Sequence, residues 1–359
     1  MEARTIDSFI LNNVEAYPGD IVKVTMKKFG ISRQSGIRHM RELIAQGSVV
    51  ATGQTKAREY KLRWLVEESF SLNVSGMEED RVWREKVLPL VQGVENNVLR
   101  ICQYGFTEML NNVIDHSESD IVTISIYRNA ILIKMVIADH GVGIFNKIQK
   151  AFNLNDPRHA LLELSKGKLT TDKSGHTGEG VFFTSRMFDE FSIYSGMLYF
   201  NRVNEADDSW LIEVEDRDQY NGTIIYLKIS PEAKRTTSEI FNKAESGELT
   251  DFSRTHVPVK LARYGNEQLV SRSQAKRVLA RFEGFKEIDL DFKDVAEIGP
   301  AFADEIFRVF RFSHPEIKIF ALRTTPEVQK IIDRVPQIPE YDPNQLNLFT
   351  SSNESPPLF

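Results

Sequence analysis

The spacing of apolar residues changes several times along the chain, and each change predicts a change of secondary structure. Apolar positions repeat at helical spacing over 33–46 and 181–187, whereas the run over 131–137 is almost continuously apolar, as in a buried strand. Strand-like and helical runs alternate over 255–335. For 359 residues, this pattern predicts a multidomain α/β (α+β) protein of about two or three domains.

Three helices and a small hairpin are predicted in residues 1–65. The helices cover 6–11, 20–28 and 33–46, and the strands cover 48–51 and 59–62. Ser32 precedes the third helix as an N-cap. This order resembles a winged helix-turn-helix, in which the third helix enters the major groove and the hairpin contacts phosphates.

The charge of this segment supports the same interpretation. It carries eleven Lys and Arg against six acids, so its charge is +5 while the whole chain carries −6. DNA is therefore the predicted partner, with base-facing residues Arg33, Gln34, Ser35 and Arg38 and backbone-facing residues Lys56 and Arg58. A winged helix that contacts protein is the alternative.

Three short blocks follow one another between Glu108 and Phe183. The first contains Glu108 and Asn112, which lie four residues apart and so project from one helical face. The amide oxygen of Asn112 suits Mg²⁺, which prefers oxygen ligands. A carboxylate one turn earlier can orient or deprotonate a nucleophile near a γ-phosphate, so Glu108 is the candidate catalytic base.

The second and third blocks combine glycines with a strand end and a helix start. Asp139 ends the apolar strand, where a buried carboxylate can accept a hydrogen bond from an adenine amino group. Gly141 and Gly143 are expected to turn with positive φ beside a ligand. Gly178 and Gly180 precede the helix over 181–187, whose N-terminus offers N–H groups to phosphates.

Together the blocks resemble those of the gyrase and histidine-kinase-type (GHKL) ATPase superfamily, nearest the anti-sigma-factor serine-kinase branch. The resemblance implies a Bergerat-type α/β sandwich that binds ATP and Mg²⁺ over 95–235, with residues 144–177 as an ATP lid. It places Asn112 on Mg²⁺, Glu108 as base and Asp139 on adenine. The implied nucleotide-binding residues are Asn112, Asp115, His116, Asp139, Gly141, Gly143, Ile144, Thr177, Gly178, Glu179, Gly180 and Val181.

Residues 66–94 are predicted to be a connector with a helix from about Glu79 that runs into the ATP-binding domain. Trp83, Val87 and Leu90 give this helix an apolar stripe. The stripe either forms a homodimer contact or packs in the core.

The alternation over 250–335 resembles a STAS-like α/β domain. Its predicted elements are strands over 287–292 and 317–321 and helices over 301–310 and 326–333. STAS partners of anti-sigma kinases carry a phosphorylated serine where a loop enters a helix, but the matching stretch 298–302 has no Ser or Thr. The resemblance therefore implies a protein partner without the phosphorylation switch.

The tail, 336–359, is rich in Pro, Asn and Ser and is expected to be disordered. Within it, Gln345, Leu346, Leu348 and Phe349 are close to the pentapeptide by which bacterial proteins dock on the replication sliding clamp. A chance match in a short polar segment is the alternative.

No apolar run approaches the ~20 residues of a membrane helix, the first residues do not form a signal peptide, and the chain has one cysteine. We therefore expect a cytoplasmic protein without a membrane partner. The favoured function is an ATP-binding, DNA-binding regulator with slow hydrolysis. The alternatives are an anti-sigma-like serine kinase acting in trans and a non-catalytic scaffold with a structural ATP site.

Overall fold

The computed structural model describes residues 2–54, 57–154, 156, 159–166, 180–203, 208–213, 220–245, 254–263 and 267–336. It is a mixed α/β structure that divides into two compact units, Met1–Asp251 and Phe252–Phe359. Among the described helices, none is both long and apolar enough to cross a membrane.

The first unit begins with three helices and a two-stranded hairpin. They are α1 (Glu2–Asn13), α2 (Ile21–Phe29), α3 (Arg33–Ala45), β1 (Val49–Thr52) and β2 (Glu59–Leu62). Ile10, Ile21 and Met40 form the centre of their shared core. The predicted N-cap is confirmed, since the Ser32 hydroxyl accepts the N–H of Ser35 at 3.2 Å.

A seven-stranded antiparallel sheet forms the rest of this unit. Its strands are β3 (Val66–Asn73), β4 (Ile121–Arg128), β5 (Ile133–Asp139), β6 (Glu190–Gly196), β7 (Leu198–Val203), β8 (Asp208–Glu213) and β9 (Tyr220–Ile229). They lie in the order β3-β4-β5-β9-β6-β7-β8. The last strand in sequence thus pairs with β5 near the middle of the sheet, and this pairing positions the candidate site.

Helices of this unit pack on the sheet, and those that begin at residues 96, 144 and 180 contact its strands directly. The helices in this part of the unit are α6 (Asn96–His116), α7 (Ile144–Ala151), α8 (His159–Lys166), α9 (Gly180–Met187) and α10 (Thr237–Glu245). In β5, Ile133, Met135 and Ile137 are fully buried. Gly105 lets α6 approach α9 closely, because a Cβ there would overlap the ring of Phe188.

The segment 66–94, which was predicted as a connector, contains a strand and an irregular helix. Residues 66–73 form β3, which pairs with β4 as an edge strand of the large sheet. The helix from residue 79 consists of α4 (Glu79–Val82), a π-helical turn (Trp83–Val87) and α5 (Leu88–Val91). The chain then turns at Gly93 with φ +84°, and α6 begins three residues later.

The apolar stripe of this helix packs within the chain. Trp83 and Val87 are buried, and the Trp83 ring lies 5.8 Å from that of Phe106 on α6. The stripe therefore packs in the core of the unit, which is the second of the two predicted alternatives.

The second unit alternates parallel strands with helices. Its strands β10 (Arg254–Pro258), β11 (Glu287–Asp291) and β12 (Lys318–Leu322) pair in that order. Its helices are α11 (Arg272–Leu279), α12 (Pro300–Asp304), a π-helical stretch (Glu305–Phe310), α13 (Arg311–Ser313) and α14 (Pro326–Asp333), with 3₁₀ turns at Val259–Ala262 and Phe282–Gly284. The strands and helices predicted between 287 and 333 are confirmed within a few residues at their ends.

Candidate functional site

Asp139 occupies the last position of β5 at the floor of the candidate site. Its side chain is almost fully buried. One carboxylate oxygen, Oδ1, accepts the N–H of Gly141 at 2.9 Å. Burial raises the pKa of this carboxyl group, and the N–H groups of Gly141 and Thr223 oppose that shift. A buried carboxylate held by backbone donors is a directed acceptor for a ligand N–H group.

Thr223 is a site residue that the sequence did not reveal. It lies opposite Asp139 in the pairing of β5 with β9. Its hydroxyl oxygen accepts the N–H of Ile144, the first residue of α7, at 3.0 Å. Only this long-range pairing brings it beside the second sequence block, so no local motif could have identified it.

The two glycines of the second block serve different purposes. Gly143 has φ +80° and ψ +133°, so the positive φ that was expected is present. Gly141 does not share that conformation, so the predicted reason for it is wrong. A Cβ at Gly141 would instead overlap the carbonyl of Ser117, because Val142 donates its N–H to that carbonyl at 2.8 Å. The close approach of two backbones is what requires glycine there.

The first and third blocks meet where α9 begins. Glu108 and Asn112 both lie half-buried on α6, as their spacing predicted. A Cβ added to Gly180, the first residue of α9, would overlap the Glu108 carboxylate. Glu108 therefore lies against the start of α9, whose second residue is Val181.

The end of α6 contributes the remaining residues of the first block. Asp115 is exposed and His116 is half-buried. The carbonyl of His116 accepts a hydrogen bond from Lys147 Nζ at 2.7 Å, which ties α7 to α6. Sequence reasoning did not select Lys147, which is a common residue type within an ordinary amphipathic helix.

Part of the third block lies outside the described residues. Thr177, Gly178 and Glu179 belong to that part. Of the predicted lid over 144–177, the described portion consists mainly of α7 and α8.

The predicted DNA-facing residues that the structure describes lie on α3 and just before β2. Arg33, Gln34 and Arg38 are exposed and Ser35 is half-buried. Arg58 is exposed and lies over the ring of Tyr60, 5.4 Å from its centroid. Lys56 lies outside the described residues.

A buried carboxylate also marks the second unit. Asp291 at the end of β11 accepts hydrogen bonds from the Arg323 guanidinium and the N–H of Lys293, and His256 Nε2 lies 3.1 Å from it. Burial opposes ionisation of this carboxyl, but these partners hold its pKa well below the usual range. The network is a structural tie across the three parallel strands.

The loop after β11 enters α12 without a hydroxyl residue. Gly299 is the N-cap of α12 and Pro300 its first residue. Asp304 lies at the end of α12, where Arg308 binds it and holds the pKa of its carboxyl below the usual value.

Residues 274–329 match a family described as a STAS-like domain of unknown function (DUF4325). This match confirms the STAS-like character predicted for the C-terminal part. No curated protein matches the chain.

Proposed function

We propose that this protein is an ATP-binding, DNA-binding regulator in which the nucleotide state controls the arrangement of its domains. In this proposal residues 95–235 form a GHKL-type ATP-binding domain and residues 1–65 a winged helix. The observation that best supports this proposal is that Glu108 lies against Gly180. This contact brings the first and third sequence blocks together.

The adenine end of the proposed site is the corner at Asp139. Its carboxylate is buried, receives two backbone N–H groups and lies across from Thr223. Adenine carries an amino group that donates hydrogen bonds. A buried, fixed acceptor favours a ligand with such a donor, because an unmatched ligand would leave the acceptor unpaired.

The phosphate end of the proposed site is the place where Glu108 of α6 lies against the start of α9. The first N–H groups of a helix and its dipole favour an anion. Asn112 would hold Mg²⁺ through its amide oxygen, and the ion would supply charge neutralisation for the phosphates. Glu108, one turn earlier on the same helix, would orient or deprotonate the nucleophile. Closure of residues 144–177 would exclude water.

The test separates binding from turnover. Asn112→Ala should abolish Mg·ATP binding, whereas Glu108→Ala should keep binding and lose turnover. Gln103→Ala is the matched control, since it removes an exposed amide from the same helix two turns away from Asn112. Calorimetric titration with Mg·ATP and a phosphate-release assay provide the two readouts. Undiminished affinity in Asn112→Ala contradicts the Mg²⁺ assignment.

A serine kinase acting in trans is the second candidate, and the position of Glu108 beside α9 favours it as well. The loop 292–299 and α12 offer no hydroxyl acceptor, so the substrate would be another protein. Phosphate transfer from labelled ATP to added STAS proteins would support the kinase. Tight ATP binding without any turnover would support a scaffold with a structural nucleotide.

A further inference from the structure

Three metal-ligating side chains converge between α1 and α3, away from the candidate nucleotide site. They are Asp7 of α1 and His39 and Glu42 of α3. His39 Nδ1 lies 2.7 Å from Asp7 Oδ1. One ligand atom from each of the three residues lies within 4.8 Å of the other two.

We propose that this cluster binds a divalent transition-metal ion of the zinc type. An imidazole nitrogen with two carboxylate oxygens is a donor set that Zn²⁺ accepts, whereas Mg²⁺ and Ca²⁺ prefer oxygen ligands only. Three protein ligands leave a tetrahedral ion one position for water.

The surroundings of the cluster suit an ion. The His39 side chain is only 3% exposed, and its chain neighbour Met40 belongs to the apolar core of the three helices. Asp7 and Glu42 are more open, with side chains 26% and 51% exposed. The site is therefore buried on the side of His39 and accessible to an entering ion on the side of Glu42.

Glu42 distinguishes this cluster from a simple histidine–aspartate hydrogen bond. A pair of His39 and Asp7 would be enough to tie α1 to α3, but Glu42 adds a second carboxylate one turn along α3. Its ion pair with Arg38 is long, at 3.8 Å, and both side chains are more than half exposed. Such a pair contributes little, so an ion can displace it.

Metal binding would have a consequence for DNA recognition. The ion would fix α3 against α1, draw Glu42 away from Arg38 and neutralise two carboxylates near the DNA-facing side chains. DNA affinity should therefore rise with zinc. This consequence rests on the proposed DNA-binding function, whereas the metal site itself does not.

The direct experiment titrates Zn²⁺ into the full chain in competition with a chromophoric chelator. Asp7→Asn, His39→Gln and Glu42→Gln should each weaken zinc binding by roughly 10–100-fold or more. Asp20→Asn is the matched control, because it removes an exposed carboxylate from the same three-helix region outside the cluster. Co²⁺ should give the intense visible absorption of a tetrahedral site in the unaltered chain and lose it in the three variants.

Circular dichroism first establishes that each variant is folded. If His39→Gln unfolds, the two carboxylate variants decide the result, since Glu42 is exposed and Asp7 is only half-buried. Absence of stoichiometric zinc binding, or equal affinity in the carboxylate variants and the control, overturns the proposal. Zinc binding that follows the expected pattern but leaves duplex-DNA affinity unchanged supports the metal site and contradicts the regulatory consequence.

Discussion

At Asp139, burial and backbone hydrogen bonds act in opposite directions on the same carboxyl group. Burial is the larger effect, so the pKa of Asp139 is raised. Because the pKa of Asp139 is higher in the folded chain than in the unfolded chain, its protonation stabilises the fold. This stabilisation is complete at a pH below the ordinary aspartate pKa. The contribution is lost as pH rises through the raised folded value. Above that raised value the ionised side chain opposes folding, which is the cost of a fixed acceptor.

We predict that Asp139→Asn separates stability from nucleotide binding. Its denaturation midpoint should exceed that of the unaltered chain at pH 7, and the difference should vanish once the pH is low enough to protonate Asp139. ATP affinity should fall about 10–100-fold through loss of a charged hydrogen-bond acceptor worth roughly 1.5–3 kcal/mol. Urea unfolding across pH and ATP titration measure the two effects. Asp120→Asn, an exposed carboxylate near the same edge, should change neither.

Single residues show where sequence reasoning succeeds and where it stops. The four-residue spacing of Glu108 and Asn112 was enough to place both on one helix, because helical geometry is local. The β5–β9 pairing that brings Thr223 to Asp139 depends on a partner more than eighty residues away. Gly141 was assigned the wrong cause, because a glycine in a sequence does not distinguish a positive φ from a close backbone contact.

The packing of α6 against α9 depends on the absence of a side chain at Gly105. We predict that Gly105→Ala destabilises the protein by roughly 1–3 kcal/mol, because a Cβ would overlap Phe188 and lie 3.1 Å from Thr184 Cγ2. It should also weaken ATP binding, since displacement of α9 moves Gly180 away from Glu108. Gly19→Ala is the control, because a Cβ there meets no atom within 4 Å. Equal denaturation midpoints for the two variants would refute the packing argument.

The exposed side of α3 gives a prediction for DNA. Arg33→Ala and Arg38→Ala should reduce sequence discrimination, while Lys56→Ala should weaken binding to all duplexes about equally. Affinity should fall steeply with salt, because phosphate contacts release counterions. Fluorescence anisotropy at several salt concentrations measures both effects. If residues 1–65 fold alone and ignore duplex DNA at low salt, the segment is a protein-contact module.

Elements with strong periodicity were predictable, and a weakly patterned strand was not. β5 and α9 coincide with continuous or helical apolar runs. In β3, two adjacent glutamates interrupt the alternation, and five of its eight residues are exposed. An edge strand buries little on either face, so its sequence carries little of the signal that identifies central strands.

At the scale of the whole molecule, the chain divides into a larger unit and a second unit, Phe252–Phe359, which contains the STAS-like match over 274–329. The alternation of strand-like and helical runs over 255–335 predicted the second unit, although acids occupy three of the five positions of β11. The tail that carries Gln345, Leu346, Leu348 and Phe349 lies outside the described residues.

We predict that this tail binds a bacterial sliding clamp. Three apolar side chains contribute roughly 1.5–3 kcal/mol each before ordering costs, which is consistent with micromolar affinity. A peptide of residues 340–352 titrated against the clamp is the direct measurement, and the same peptide with alanine at 345, 348 and 349 is its control. Removal of residues 340–359 should abolish clamp binding and leave ATP affinity unchanged. If the peptide does not bind at about 500 μM, the motif is a chance match. A dissociation constant of about that size corresponds to a binding free energy of under about 5 kcal/mol.

The short join between β2 and β3 has a mechanical consequence. β2 ends at Leu62 and β3 begins at Val66, so only three residues connect the hairpin to the large sheet. Three residues span at most ~11 Å. The N–H of Leu65 is bonded to the Arg128 carbonyl at 2.7 Å, and the Trp64 ring packs on Tyr127. The three connecting residues therefore hold the segment of α1–α3 and the hairpin close to the sheet. It should tumble in solution with the sheet, so that any twist of the edge strand turns α3 with it.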